Sequence, residues 1–148
     1  MAELSDTSTR LGLKYRRPLV LMVEDDRVVA QMYKMGLECA GFEVAVHEDG
    51  SAFFAALENQ NPDIVVLDFH LKGPLTGIDI AENLRLDERF DRLPLLFLSN
   101  HYDDLDGQVD RAFAAGALAW LAKSRTSPSQ LASRIAEALS DSTAQERG

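Results

Sequence analysis

The run Ile64-Val65-Val66-Leu67 constrains the fold of this chain more than any other stretch, because four successive apolar residues rich in β-branching read as a strand buried on both faces. Such strands belong to parallel sheets covered by helices, and this one ends abruptly in Asp68. Other runs behave alike. Leu19 to Val23 ends in Glu24-Asp25-Asp26, Leu95 to Leu98 ends in Ser99, and Leu118 to Ala122 ends in Lys123. In an open parallel sheet the carboxyl ends of the strands are where ligands and chemistry gather. Taken singly, an Asp or Ser there reads as well as a helix cap or a solvated strand end. Their conjunction, with a lysine that capping does not require, points to one pocket at one sheet edge.

Helical patterns fill the intervals. Val28, Val29, Met32, Met35, Leu37 and Cys39 recur near helical spacing, and Gly41 supplies the stop. Phe42 to His47 alternates as a strand; Asp49-Gly50-Ser51 opens a helix with Phe53, Phe54 and Leu57 on its apolar side; and Asn61-Pro62 turns the chain into the strand ending at Asp68. Further helices are expected from Thr76 to about Glu88 and from Asp103 to Ala115. Ser127-Pro128-Ser129-Gln130 is a capping-box start for a last helix with the stripe Leu131, Ile135 and Leu139. Residues 1–17, Ser/Thr-rich and charged, read as a mobile tail; residues 18–140 as one domain; residues 141–148 as a frayed end.

Five strands alternating with five helices give an α/β fold, a doubly wound parallel sheet with helices on both faces and the strand order 2-1-3-4-5 as leading candidate. That order brings the ends of the first and third strands side by side, and with them Asp25 and Asp68. Carboxylates at contact distance need a cation to stay ionised. Oxygen donors without a His/Cys cluster favour Mg²⁺ over zinc. Asp26 reads as a helix cap. A net charge of −9 argues against a nucleic-acid surface, and the basic Lys14-Tyr15-Arg16-Arg17 is too short to overturn that. Cys39 is the only cysteine; it is expected to be a buried inert thiol in a reducing cytoplasm. No apolar run reaches the ~18 residues of a membrane span, and an N-terminus with Glu3 and Asp6 does not read as a signal peptide.

Val23-Glu24-Asp25-Asp26, Ile64 to Asp68, Leu98-Ser99, Ala115-Gly116-Ala117 and Lys123, in this order and spacing, resemble the receiver domain of the bacterial two-component response regulators over about Leu19 to Leu139. The resemblance implies a flavodoxin-like receiver fold with Asp68 as the residue that takes a phosphoryl group from a phosphohistidine on a histidine kinase or histidine phosphotransferase. It implies Asp25, Glu24, Asp68 and the main-chain carbonyl of His70 as the Mg²⁺ ligands, and Lys123 and Ser99 as partners of the phosphoryl group. It makes Ser99 and Trp120 a switch that repacks the face of helix 4, strand 5 and helix 5. His70 and His101, each two residues beyond a site residue, would tune phosphoryl lifetime.

The pattern also has departures. Ser124 stands where the family usually has a proline, the segments His70–Gly77 and His101–Gly107 are longer than usual, and Asn100 stands where a small residue is common. Nothing after about Leu139 reads as an output domain, so the expectation is a stand-alone, non-enzymatic receiver that acts by binding, as a monomer or a phosphorylation-dependent homodimer, with no nucleic-acid or membrane partner. The alternatives are a degenerate receiver that binds partners without phosphorylation, and a Mg²⁺-dependent phosphatase working through an aspartyl phosphate. The latter needs a second Asp where His70 stands. A flavodoxin would need phosphate-binding backbone donors where Glu24-Asp25-Asp26 stand.

Overall fold

Alternation along the strands decides which helix covers which face. In β1 (Leu19–Val23) Leu21 and Val23 join one core, Val20 and Met22 the other, and β3 (Ile64–Asp68) divides in the same way. The structure, a computed structural model, describes residues 16–100 and 107–147, with the backbone alone for 142–147. With β2 (Glu43–His47), β4 (Leu95–Ser99) and β5 (Ala119–Ala122) the strands form one parallel sheet of order β2-β1-β3-β4-β5, as expected. Helices α1 (Arg27–Cys39) and α5 (Pro128–Arg147) press Tyr33, Leu37, Leu131 and Ile135 onto one face. On the other, α2 (Gly50–Ala56), α3 (Gly77–Arg85) and α4 (Gln108–Ala114) bring Phe53, Ile78, Ile80, Leu84 and Ala112. Fully burying each large side chain contributes about 1.5–3 kcal/mol, which makes these two layers the main source of cohesion.

Caps fix where the helices begin, close behind the strand ends. The Asp26 carboxylate accepts from the amides of Val28 and Val29, and that of Asp49 from Ala52. Thr76 and Asp79 form a reciprocal capping box, and Ser127 and Gln130 another. Each is worth about 1 kcal/mol and sets the direction in which its strand-to-helix loop runs.

Several expectations are corrected. The buried stripe of α1 is Ala30, Tyr33 and Leu37, whereas Val28 is 80% exposed, Met32 47% and Met35 57%. Residues 28, 32, 35 and 39 also lie at helical spacing, so two stripes compete and the sheet selects the one that contains Tyr33. Cys39 goes with the losing stripe and is exposed, not buried. Helix α3 stops at Arg85 rather than near Glu88, because Asp87 caps a separate 3-10 turn at Glu88–Phe90. Helix α4 begins at Gln108, after Gly107 at φ +74°; the expected start at Asp103 lies outside the described residues. Helix α5 extends as far as Arg147, and no Gly or Pro interrupts it before Gly148. At the start of the described residues the Arg16 guanidinium makes a bidentate pair with Asp63.

Candidate functional site

The polar strand ends meet at one edge of the sheet. Glu24 leaves β1 with its amide still paired to the carbonyl of His47, which holds it in register for one residue past the strand and leaves it 3% exposed. Asp68 closes β3 between the registers of β1 and β4 and is 4% exposed. Ser99, at the end of β4, is fully buried. Carboxylate oxygens of Glu24, Asp25 and Asp68 lie within 4.8 Å of one another.

Lys123 is the charge that makes this crowding tolerable. Its Nζ lies 2.6 Å from Glu24 Oε1 and 3.2 Å from Asp68 Oδ1. The peptide bond into Ser124 is trans, and the short turn Lys123–Arg125 that follows β5 delivers the ammonium into the acid cluster. Burial, then the neighbouring Glu24, push Asp68 up to about 7 although Lys123 pulls the other way. Burial acts to lower the Lys123 ammonium, but its bonds to Glu24 and Asp68 outweigh it and leave the group above its ordinary value. Three acids face one base, so the cluster keeps surplus negative charge.

Backbone donors shape the rest. The amide of Asp26 donates to Glu24 Oε2 at 3.1 Å, that of His70 to Asp68 Oδ1 at 3.2 Å and that of Lys72 to Asp25 Oδ2 at 2.9 Å, so the loop after β3 folds back over the acids. Gly77, at the start of α3, lets that helix approach Asp68 closely. A Cβ there would run into the Asp68 carbonyl oxygen and lie 3.1 Å from the Phe97 ring. The donor set is all hard oxygen, which fits a divalent cation such as Mg²⁺ and favours it over zinc.

The structure thus brings together Glu24, Asp25, Asp68 and Lys123, with Ser99 at the end of the neighbouring strand β4. The side chain of His70 is exposed, with its ring 4.5 Å from that of Phe69. His101 lies outside the described residues. Trp120 is half-buried on the edge strand β5, stacked on Phe97 at 5.3 Å and set against Phe69 at 5.2 Å, so its ring already rests on the core side of the sheet. Sequence reasoning missed Gly77, Phe69 and the Lys72 amide. A glycine directly after a capping threonine is a signal that could have found the first; a main-chain donor leaves none.

Comparisons with known proteins agree with this geometry. Residues 20–136 match the family model of the response regulator receiver domain. The chain is 37% identical over 90 residues to the DNA-binding response regulator MtrA of Mycolicibacterium smegmatis, covering 61% of this chain and 38% of that one. It is 39% identical over 80 residues to the probable transcriptional regulatory protein TcrX of Mycobacterium tuberculosis, covering 54% and 33%. This chain therefore spans well under half the length of either relative. A putative response regulator from Chloroflexus aurantiacus superposes with a TM-score of 0.75 at 29% identity, covering 84% of this chain and 99% of that one. The chemotaxis response regulator CheY4 of Vibrio cholerae superposes with a TM-score of 0.74 at 24% identity, over 83% and 99%, a likeness of fold.

Proposed function

From the premise that the chain belongs to the response regulator receiver domain family, we propose that it accepts a phosphoryl group on Asp68 from a phosphohistidine of a histidine kinase or histidine phosphotransferase. The observation that carries this reading is the buried carboxylate of Asp68, set beside two further acids and a lysine at the carboxyl edge of the sheet. A carboxylate oxygen of Asp68 attacks phosphorus, the new O–P bond forms as the P–N bond breaks, and the electron pair leaves on the imidazole nitrogen. Glu24, Asp25 and Asp68, with the main-chain carbonyl of His70, would hold Mg²⁺, which when bound supplies positive charge to the phosphoryl oxygens. Lys123 faces the same oxygens and steadies the product. Ser99 then offers its hydroxyl to the phosphoryl group. Trp120 is coupled to this event through Phe69, the residue that follows the acceptor and touches its ring, and the repacked face of α4, β5 and α5 is the one offered to a downstream protein. His70 is the described candidate for tuning phosphoryl lifetime.

The test is incubation with acetyl phosphate with and without Mg²⁺, reading intact mass and Trp120 fluorescence. A metal-dependent gain of one phosphoryl group, lost in Asp68→Asn, is the expected result. An adduct that survives the substitution would move the acceptor elsewhere. No adduct from either acetyl phosphate or a phosphorylated histidine phosphotransferase would favour a receiver that binds without phosphorylation.

A further inference from the structure

Tyr33 carries a polar group into the deepest part of a hydrophobic layer. It stands in the middle of α1, is 0% exposed, and packs its ring among Leu37, Leu131 and Ile135. Its hydroxyl donates to the carbonyl of Thr126 at 2.6 Å, and the carbonyl of Lys123 lies 3.5 Å from the same oxygen. These two carbonyls bracket the turn Lys123–Arg125, which the Thr126 amide also closes onto the Lys123 carbonyl at 3.3 Å.

We propose that Tyr33 is a positioning residue for Lys123: its hydroxyl, donating to the Thr126 carbonyl with the Lys123 carbonyl beside it, holds the turn from which the lysine springs, and so fixes where the ammonium meets Glu24 and Asp68. This rests on the role given to Lys123 above. The lysine stem has four methylenes and little stiffness of its own, so the reach of Nζ is set by the place of its root. A misplacement of about 1 Å at such a site costs on the order of a hundredfold in rate. One helix also serves both sides of the site. Helix α1 starts directly after the acids, capped by Asp26, and Tyr33 lies two turns further along it. Acids and lysine are thereby referred to one rigid element. The plainer account is that Tyr33 fills space and its hydroxyl is satisfied because a buried hydroxyl must be.

Tyr33→Phe in the full chain separates the two, with Tyr33→Met as a second variant that fills the ring's volume differently. The readout is the acetylation rate of the Lys123 amine under limiting reagent, measured by peptide mass spectrometry against Lys34 in the same molecule. This does not depend on phosphotransfer. Loss of the clamp is expected to raise Lys123 labelling several-fold with Lys34 unchanged, and to slow phosphorylation by acetyl phosphate at least about tenfold. p-Aminophenylalanine at position 33, which restores a donor, is expected to return both toward the starting values. Unchanged Lys123 labelling in folded Tyr33→Phe overturns the proposal, as does failure of both apolar variants to fold, which would assign the hydroxyl to folding alone. If the unsubstituted protein takes no phosphoryl group, the assigned function falls while the labelling comparison still decides the part played by Tyr33.

Discussion

With Lys123 between Glu24 and Asp68, and Asp25 close by, the cluster holds more negative charge than its own base can balance. The consequence is a pH dependence with a definite sign. Asp68 binds its proton more tightly folded, up to about 7, than its ordinary value of 3.8 allows. Folding therefore takes up a proton between those limits. The stabilisation is full below about 4 and is lost as pH rises through about 7. Asp68→Asn removes a carboxylate that at pH 8 is buried and charged. In a chelator its melting temperature should match that of the unsubstituted protein at pH 4 and exceed it by about 3–5 °C at pH 8, a gain of order 1 kcal/mol. A gap that stays constant across that range would refute the assignment. Asp68 and Lys123 were legible in the sequence because each abruptly ends an apolar run. Tyr33 was not: an aromatic at helical spacing gives no sign that its hydroxyl reaches a loop ninety residues on.

At the scale of elements, the approach of α3 to β3 depends on a glycine. Alanine at position 77 would gain about 1 kcal/mol from helix propensity. Against that, its Cβ would press on the main-chain oxygen of Asp68, which cannot rotate aside as a side-chain tip can. The clash wins. Gly77→Ala should lose about 1–3 kcal/mol in urea unfolding and weaken Mg²⁺ binding, read by Trp120 fluorescence, because the strand end that carries Asp68 is displaced. Full stability would mean that α3 can shift freely. Helix boundaries and faces were the less legible part. In α1 two apolar stripes, one through Tyr33 and one through Met32 and Met35, are equally periodic, and only the curvature and position of the sheet decide between them. The end of the last helix had no mark in the sequence, because polar residues with good helix propensity carry no stop signal.

Across the whole molecule, topology does the assembling. Order β2-β1-β3-β4-β5 places the ends of β1 and β3 side by side at the switch point, and this was legible because strand alternation and caps agreed throughout. A cation bound there binds the folded chain alone. Saturating Mg²⁺ should raise the melting temperature at pH 8 by about 5–10 °C, an effect expected to vanish in Glu24→Gln/Asp25→Asn and to fade toward pH 5 as Asp68 takes up its proton. A shift that persists in the double variant would place the ion elsewhere. The ion pair at the heart of the site joins residues 99 positions apart, one after the first strand and one after the last. Since such long-range contacts form late and only once the intervening sheet is in place, a chain still emerging from the ribosome presents its acids without their lysine. Partly synthesised copies thus carry the acid cluster without the charge that offsets it.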